Sequence, residues 1–583
     1  MAIIGIDLGT TNSLAAYWKE GKAELITCNG NSMIPSVVSI EEDGTVFVGE
    51  LARERQIMHK EHTVGSFKCF MGTEKKWKLG EKEYTPVDLS ALVLGKIKAE
   101  VEMELGEPIE EAVITVPAYF NDKQRSDTKL AAKLAGLNVK RLINEPSAAA
   151  LAYEMISQEK EHNLLVFDFG GGTLDLSLVE CFDDVIEIIG IAGDNHLGGD
   201  DIDKEIEKLF CKENHIILQE LSLEEQQRIR KQAQRAKIAM AIGQDTDMVV
   251  RIGGKEVSSH FTEKQLFTAC SSLFEKIRKL FLQILRDADY RVSDIDDLIM
   301  VGGSSNLSIV QKFLAELLGK KPVVMEHADQ VVALGAGVYA GIRARKEEVK
   351  DIVMTDVCPF TLGVDVVNDV MDPRAHMLPM IRRNATLPTS HTECLCTLYD
   401  NQEIVNIRVY QGEEYYVDDN LFLGELNIVV PKKRAGEAKV KVTYTYDING
   451  ILQVEVENQE GEKRDITFLN HKLDKQEREQ YLKDMEKIRI QPQEEEKAQI
   501  LEERARVLYA QGTEREKDYI SYLLSWFQTS RQRGRRFLLK RSIKEMETEL
   551  KKLEERKLEE ATWFFDGKER LDEVLNEEQN DDE

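Results

Sequence analysis

Two segments far apart in the chain carry the same arrangement of reactive and permissive residues. GIDLGTTNSLAAYW (5–18) and LLVFDFGGGTLDLSLVE (164–180) each run an apolar strand into an aspartate, then glycine and threonine, then a second apolar strand. Such a turn suits phosphate with hydrated Mg²⁺. Glycines let backbone N–H groups approach an anion, threonine hydroxyls add donors, and the strand-end carboxylates, Asp7 and Asp168, can hold the cation. One copy reads as an ordinary hairpin, since Asp-x-Gly is common in turns. Two copies point to a duplicated phosphate-binding hairpin. A third apolar strand, LIMVGGSSNL (298–307), ends on Gly302, Gly303 and Ser304, which could admit a nucleoside or phosphate but alone is no better than a turn.

The elements that must position these turns differ in texture along the chain. Up to about residue 350, short β-rich runs such as AVITVP alternate with longer helical stretches, which implies α/β layering. From about 357 to 470 the pattern has period two, as in EIVNIRVYQG and KVKVTYTYDINGILQVEVE, the latter with a D-I-N-G turn; this is an antiparallel β module. From 471 to 583 the chain is dense in Glu, Lys, Arg and Leu at helical spacing with Pro492 as its only proline, and it ends in an acidic tail. Tyr519, Leu523, Leu524, Trp526 and Phe527 in this helical part could pack on one another or on a second copy. Between the first two regions DIVMTD (351–356) is apolar at Ile352, Val353 and Met354. Linkers are ordinarily polar, so this one either docks on a partner surface or is a strand edge.

Composition narrows the function classes. With 583 residues, and roughly 100–200 per domain, the chain must hold several domains. Lys and Arg number 77 against 105 Asp and Glu, a net charge of −28 that disfavours nucleic acid and anionic membranes as partners. No apolar run approaches the roughly 20 residues of a membrane span, and MAIIGID has neither a basic stretch nor a cleavage site, so cytoplasm is the expected compartment. The eight cysteines form no CxxC pair and read as reduced thiols. Cys394 and Cys396, at i, i+2 on a strand, share one face and are expected to be a buried pair rather than a metal site.

GIDLGTTNS, VPAYFND, INEPSAAALAY, FDFGGGTLD and GDNHLGGDD, in this order and spacing, resemble the seventy-kilodalton heat-shock chaperone (DnaK) family. The resemblance continues through TDVCPFTLGVDV, RNATLP, DNQEIVNIRVYQGE and YDINGIL, covering residues 1 to about 470, and the helical remainder agrees in kind. In reduced length and linker region the chain looks most like the bacterial HscC branch.

The resemblance implies a multidomain protein: an actin-like, two-lobed α/β ATPase domain (1–350), an apolar linker (351–356), an antiparallel β-sandwich that binds peptide (357–470), and a helical lid with an acidic tail (471–583). It implies ATP and ADP, Mg²⁺ and K⁺ as ligands. Gly9, Thr10, Thr11, Asn12, Gly170, Gly171, Gly172 and Thr173 would cradle the phosphates, with Gly199, Lys237, Gly302, Gly303, Ser304 and Asp329 around the rest of the nucleotide. Asp7 and Asp168 would hold Mg²⁺ through water. Lys68, Glu145, Thr173 and Asp175 would be catalytic, Asp175 by positioning the attacking water or a monovalent cation. Pro117 and Arg125 would transmit nucleotide state, and Ile352, Val353 and Met354 would dock between the lobes when ATP is bound. Val364, Leu395, Val405 and Ile407 would form a peptide pocket, with Val367 and Leu398 arching over it. Without the family context Lys68 reads as a solvated surface lysine, Arg125 as an exposed helix arginine, and the six apolar positions as β core.

The implied activity is an ATP-driven cycle that binds and releases extended apolar segments of unfolded proteins, with a J-domain partner and an undecided need for an exchange factor. Other readings are a small-molecule kinase on the same core and a binding-only holdase with a degenerate ATPase. The sequence departs from the family at Leu395 and Leu398. On the adenosine side it has Gln234, Lys237, Ile238, Ala241 and Asn306, where only the lysine matches the common pattern. A lost guanidinium stack and a lost ribose hydrogen bond, worth about 1 kcal/mol each, predict weaker nucleotide binding and faster exchange.

Overall fold

The computed structural model describes residues 2–27, 30–56, 58–157, 161–182, 184–325, 327–367, 374–467, 493–512, 514–532 and 536–554. Cys28, the opening of the helical region through Pro492, and the acidic tail lie outside them.

The α/β region contains two mixed sheets built on one plan. The first runs Val139–Asn144, Ile109–Val116, Ala2–Asp7, Asn12–Lys19, Lys22–Leu25. Its central strand Ala2–Asp7 is parallel to Ile109–Val116 and antiparallel to Asn12–Lys19. The second repeats this order with Val323–Val324, Asp297–Val301, Glu161–Phe169, Leu174–Phe182 and Val185–Asp194. There Glu161–Phe169 is parallel to Asp297–Val301 and antiparallel to Leu174–Phe182. The repeated hairpin read from sequence therefore sits in a repeated sheet, each copy carrying its aspartate at the end of the central strand.

A shared apolar cluster joins the sheets. It takes Val113 and Ile143 from the first, Leu164, Val166 and Val179 from the second, and packs them around the helices Glu145–Glu154 and Val331–Arg343. These helices meet backbone to backbone, because a methyl group on Gly335 would overlap the Ala148 carbonyl.

Val353–Val357 adds a sixth strand to the second sheet, and Thr386–Leu387, antiparallel to its Asp356 and Val357, adds a seventh. Val185, Ile186 and Glu187 pair in parallel with Val353, Met354 and Thr355. Ile352 and Met354 lie half-buried against the shared cluster while Val353 is exposed. The segment is therefore a strand within the sheet, paired on one side with Val185–Asp194 and on the other with Thr386–Leu387.

The β module is a sandwich of two four-stranded antiparallel sheets. One is ordered His376–Ile381, Leu362–Val366, Ile404–Gln411, Leu421–Val429, and the other Thr389–Cys396, Lys439–Tyr446, Leu452–Asn458, Lys463–Thr467. Tyr444 spans them, its hydroxyl donating to the Gly363 carbonyl at 2.9 Å. Cys394 and Cys396 do share a face of their strand, but both are exposed, which corrects the expectation of a buried pair. The alternation turns Leu395 inward instead.

Three helices, Gln493–Gln511, Glu514–Gln532 and Arg536–Glu554, form a bundle whose core includes Tyr519, Leu523, Trp526 and Phe527. Their apolar residues pack on one another. The first of these helices also lies against helix Glu50–Arg55 of the first lobe. Among the described residues no helix is long and apolar enough to cross a membrane.

Candidate functional site

Strand ends and hairpin turns converge where the two lobes face each other. Lys68, in the short helix Phe67–Phe70, is buried and donates to Glu145 Oε1 at 2.6 Å. Glu145 opens the helix Glu145–Glu154, directly after the strand that ends at Asn144. Thr115 donates to Asp7 Oδ1 at 2.7 Å, and Tyr119 N–H donates to Asp175 Oδ1 at 3.1 Å. Asp168 and Asp175 face each other across the second hairpin.

Four buried carboxylates around one ammonium leave the cluster short of positive charge. Burial first, then the charge of Glu145, pushes Asp7 up to about 7 against the opposing pull of Lys68 and the Thr115 hydrogen bond. The same causes raise Asp175 to about 7 and hold Asp168 well above the ordinary carboxylate range. Burial works against the charged form of Lys68, yet Glu145 and Asp7 hold its ammonium above its ordinary value. A cluster with this balance attracts cations. Lys68, buried and paired with Glu145, is thus not the solvated surface lysine its local sequence suggests.

The glycine turns close around it. A Cβ on Gly171 would strike Thr11 Oγ1, and one on Gly172 would lie 2.6 Å from Cys69 Sγ and 3.0 Å from a Thr10 methyl. Thr11 Oγ1 and Asp175 Oδ2 are buried with no hydrogen-bond partner. Gly9 accepts from Ser36 at 2.7 Å, Asn12 begins the return strand of the first hairpin, and Thr173 is buried.

On the other side, Ser304 donates to the Gly170 carbonyl at 2.9 Å, and Lys237 donates to the Gly199 carbonyl at 3.0 Å while pairing with Asp203 at 2.9 Å. Gly302 adopts φ +83, and its N–H donates to Ala328 at 2.9 Å beside half-buried Asp329. Gly303 has open space where a side chain would be. Ile238 is exposed and Asn306 half-buried.

A second convergence lies on the outer side of the cluster. Asn121 and Gln124 form a capping box that starts the helix Asp122–Leu134. One turn in, Arg125 is buried, contrary to its reading as an exposed helix residue. It donates to the carbonyls of Phe120 and Ala118 at 3.0 Å each and to Asn144 Oδ1 at 2.7 Å. The Phe120 ring lies 5.6 Å from Lys68 Nζ, so Phe120 touches the cleft lysine with its ring and Arg125 with its carbonyl. Pro117 lies just beyond the strand Ile109–Val116 in the same segment.

The sandwich loop Asp447–Gly450 sits directly on this arginine. A Cβ on Gly450 would lie 3.0 Å from Arg125 Cδ. Leu452 N–H donates to Asp122 Oδ1 at 2.8 Å, Leu142 N–H to Asn449 Oδ1 at 3.1 Å, and Arg141 to the Ile448 carbonyl. Asp356 is buried beside Arg125 and accepts from Ser147 at 3.3 Å.

Sequence reasoning did not single out Thr115, Asp122, Arg141, Asn144, Asp203 or Asp356. A threonine inside the apolar run AVITVP was the one signal for Thr115, and Asp122 closes the quoted VPAYFND. Asn144 lies inside the quoted INEPSAAALAY and Asp356 closes DIVMTD, while Arg141 and Asp203 carried no signal.

In the sandwich, Val364, Val405 and Ile407 are sealed in the core, Leu395 and Val367 are half-buried, and Leu398 is 48% exposed. Tyr399, Ile404, Leu421, Phe422 and Val429 are further exposed apolar residues of this module.

A doubled α/β plan with a cation-seeking cluster between its hairpins, joined through the strand Val353–Val357 to a sandwich and a helical bundle, defines a two-lobed phosphate-handling protein with an attached binding module. The chain belongs to the Hsp70 family: a family model described as "Hsp70 protein" matches residues 3–79 and 75–577. It is 41% identical over 468 residues to the chaperone protein DnaK of Thermotoga neapolitana, covering 78% of this chain and 77% of that one. The chaperone protein DnaK of Thermosipho africanus is 40% identical over 467 residues, covering 78% and 77%. That of Thermosipho melanesiensis is 38% identical over 506 residues, covering 84% of each. Members of this family are ATPases that bind nucleotide with Mg²⁺, and this chain is an ATPase of that kind.

Proposed function

We propose that the protein is an ATP-dependent molecular chaperone that binds and releases short extended apolar segments of unfolded proteins, with hydrolysis closing the peptide site. The observation that carries this reading is the contact chain from Lys68 through Phe120 and Arg125 to the sandwich loop at Gly450. It joins the reacting cleft to the binding module through buried groups.

The donor set fits the ligands. Asp7, Asp168 and Asp175 are buried oxygen donors short of positive charge, and Asp175 Oδ2 and Thr11 Oγ1 are orphaned, which suits a hydrated hard dication and a phosphate. Bound Mg²⁺ neutralises charge on the phosphates. In this reading Asp7 and Asp168 hold its waters. Gly9, Thr10, Thr11, Asn12, Gly170, Gly171, Gly172 and Thr173 cradle the phosphates, and Asp175 positions water or K⁺. Lys68, oriented by Glu145, offsets charge developing on the transferring phosphoryl group. Gly199, Lys237, Gly302, Gly303, Ser304 and Asp329 surround the nucleoside. The poor adenosine contacts, with Ile238 exposed, favour fast exchange.

Pro117 and Arg125 relay nucleotide state, and Ile352, Val353 and Met354 undock after hydrolysis. Val364, Leu395, Val405 and Ile407 form the peptide pocket under Val367 and Leu398, a pocket that must open for peptide to reach Val364, Val405 and Ile407, which are buried here. The working partners are a J-domain protein and apolar peptide, the compartment is the cytoplasm, and the branch is HscC-like. The domain limits are those at residues 350, 356 and 470.

Single-turnover ATP hydrolysis by the full chain, with and without an apolar peptide and a J-domain protein, tests the reading. Slow hydrolysis that both partners accelerate is expected. Peptide binding that persists with no hydrolysis would overturn it in favour of a holdase.

A further inference from the structure

A cluster of metal-type ligands lies at the other end of the second hairpin, outside the nucleotide cleft. Glu154 is the last residue of helix Glu145–Glu154, His162 stands near the start of strand Glu161–Phe169, and Cys181 near the end of Leu174–Phe182. His162 and Cys181 face each other in antiparallel register. The potential ligand atoms of all three lie within 4.8 Å of one another.

His162 Nε2 sits 2.7 Å from Glu154 Oε1, yet both ring nitrogens of this 4%-exposed histidine lack a hydrogen bond of acceptable geometry. At 2.7 Å the two groups stand at ion-pair distance without a well-aligned hydrogen between them, which leaves the ring nitrogens of a buried histidine unsatisfied beside a carboxylate. Glu154 also occupies the negative end of its helix, where a carboxylate is unfavourable unless a cation offsets it. Burial, then the charge of Glu154 and a hydrogen bond to it, raises the Cys181 thiol and holds its proton in place. A bound ion would displace that proton.

We propose that Glu154, His162 and Cys181 bind one thiophilic divalent cation, Zn²⁺ by ligand chemistry, with water in the fourth position. Imidazole, thiolate and carboxylate together are a zinc donor set, with arms of about 2.0–2.3 Å that give tetrahedral edges of roughly 3.3–3.8 Å. To reach them the widest separation must close by up to about 1 Å and the 2.7 Å approach of Glu154 to His162 must open by about 0.6 Å. Mg²⁺ and Ca²⁺, which take oxygen ligands, are poorly served by this set.

Position gives the site a structural consequence. One end of helix Glu145–Glu154 and of the hairpin carries Glu145, Asp168 and Asp175, and the ion would pin the opposite ends together. His162, Cys181, Ile186 and Met354 also form one row across the sheet, reaching the strand Val353–Val357. The ion would therefore brace the surface on which that strand docks. This inference does not rest on the chaperone reading.

The test is a Co²⁺ titration of the reduced, chelator-stripped full chain, followed in the near-ultraviolet thiolate-to-cobalt charge-transfer band. One equivalent is expected to bind and to be displaced by Zn²⁺. The band should persist in the triple variant Cys69→Ser, Cys394→Ser, Cys396→Ser, which removes the thiols beside the cleft and on the sandwich surface, and vanish in Cys181→Ser. His162→Gln and Glu154→Gln, which keep the sulfur, should weaken Co²⁺ binding by at least about tenfold, the lower limit for loss of even an outer-shell partner. No band in the parent chain, a band that survives Cys181→Ser, or unchanged affinity in His162→Gln and Glu154→Gln would overturn the assignment.

Discussion

At Lys68 a single ammonium stands against four buried carboxylates, so its removal changes the whole cluster. Lys68→Ala should lower the single-turnover hydrolysis rate at saturating ATP by about 10²–10³-fold, the cost of losing one preorganised group that offsets transition-state charge. A variant that keeps half the parent rate would remove Lys68 from the reaction. Gly302 carries a different kind of constraint. Its φ is +83, and a Cβ would lie 2.5 Å from the Phe169 carbonyl oxygen. Gly302→Ala should therefore destabilise the α/β region by about 1–3 kcal/mol, seen as an earlier first transition in urea; an unchanged midpoint would mean that the turn relaxes freely. At this scale the glycines and aspartates were legible in the sequence because their spacing states the backbone geometry they need. Burial of Lys68 and Arg125 was not, since nothing local distinguishes a covered lysine or arginine from a solvated one. Only the family resemblance singled them out.

The helix Asp122–Leu134 couples its element to another through a group that titrates. Burial pushes Asp122 up to about 8, despite the Leu452 N–H it accepts and the nearby Arg125. When the sandwich is away, this carboxyl is in the first turn of a solvated helix and returns toward its ordinary value. The docked state thus binds the proton more tightly, and docking must weaken as pH rises from the ordinary carboxylate range through about 8. The fraction docked, followed by a fluorescence-transfer pair on the first lobe and the sandwich, should fall over that window. Asp122→Asn, which still accepts from Leu452, should make the dependence shallower. Asp356 is raised by burial too and should retain part of the slope; an identical slope in Asp122→Asn would show that Asp122 does not carry it. The elements themselves were well marked, since period-two runs became the sandwich strands and the D-I-N-G turn joins its two strands as read. Which face of Thr389–Cys396 turns inward was not marked, because two thiols and one leucine give period two without deciding which side is core.

The arrangement of the whole molecule depends on contacts between elements hundreds of residues apart, which no local pattern encodes. The helical bundle touches both lobes: Glu503 lies 3.8 Å from Arg55 of the first, and the Gly512 carbonyl accepts from Arg251 of the second at 2.7 Å. A bundle held on both lobes senses any rotation of one against the other, and while held there it is tied to the ATPase region through buried charge. Arg55 also pairs with Glu41, and Glu503 with Arg506 at 3.1 Å, so truncating one partner leaves no bare charge, and a reversal of sign is needed to drive the two surfaces apart. Glu503→Lys, which sets like charges together, should release the bundle, and peptide should then dissociate more slowly in the presence of ATP. Pairing it with Arg55→Glu should restore part of the fast release, though not all, because Arg55 also donates to Ser39 at 3.1 Å and pairs with Glu41 inside the first lobe. Stopped-flow dissociation of a fluorescent apolar peptide measures both variants. Release as fast in Glu503→Lys as in the parent chain would mean that bundle docking does not govern the peptide site, and the coupling would then have to run through Arg125 and the loop at Gly450 alone.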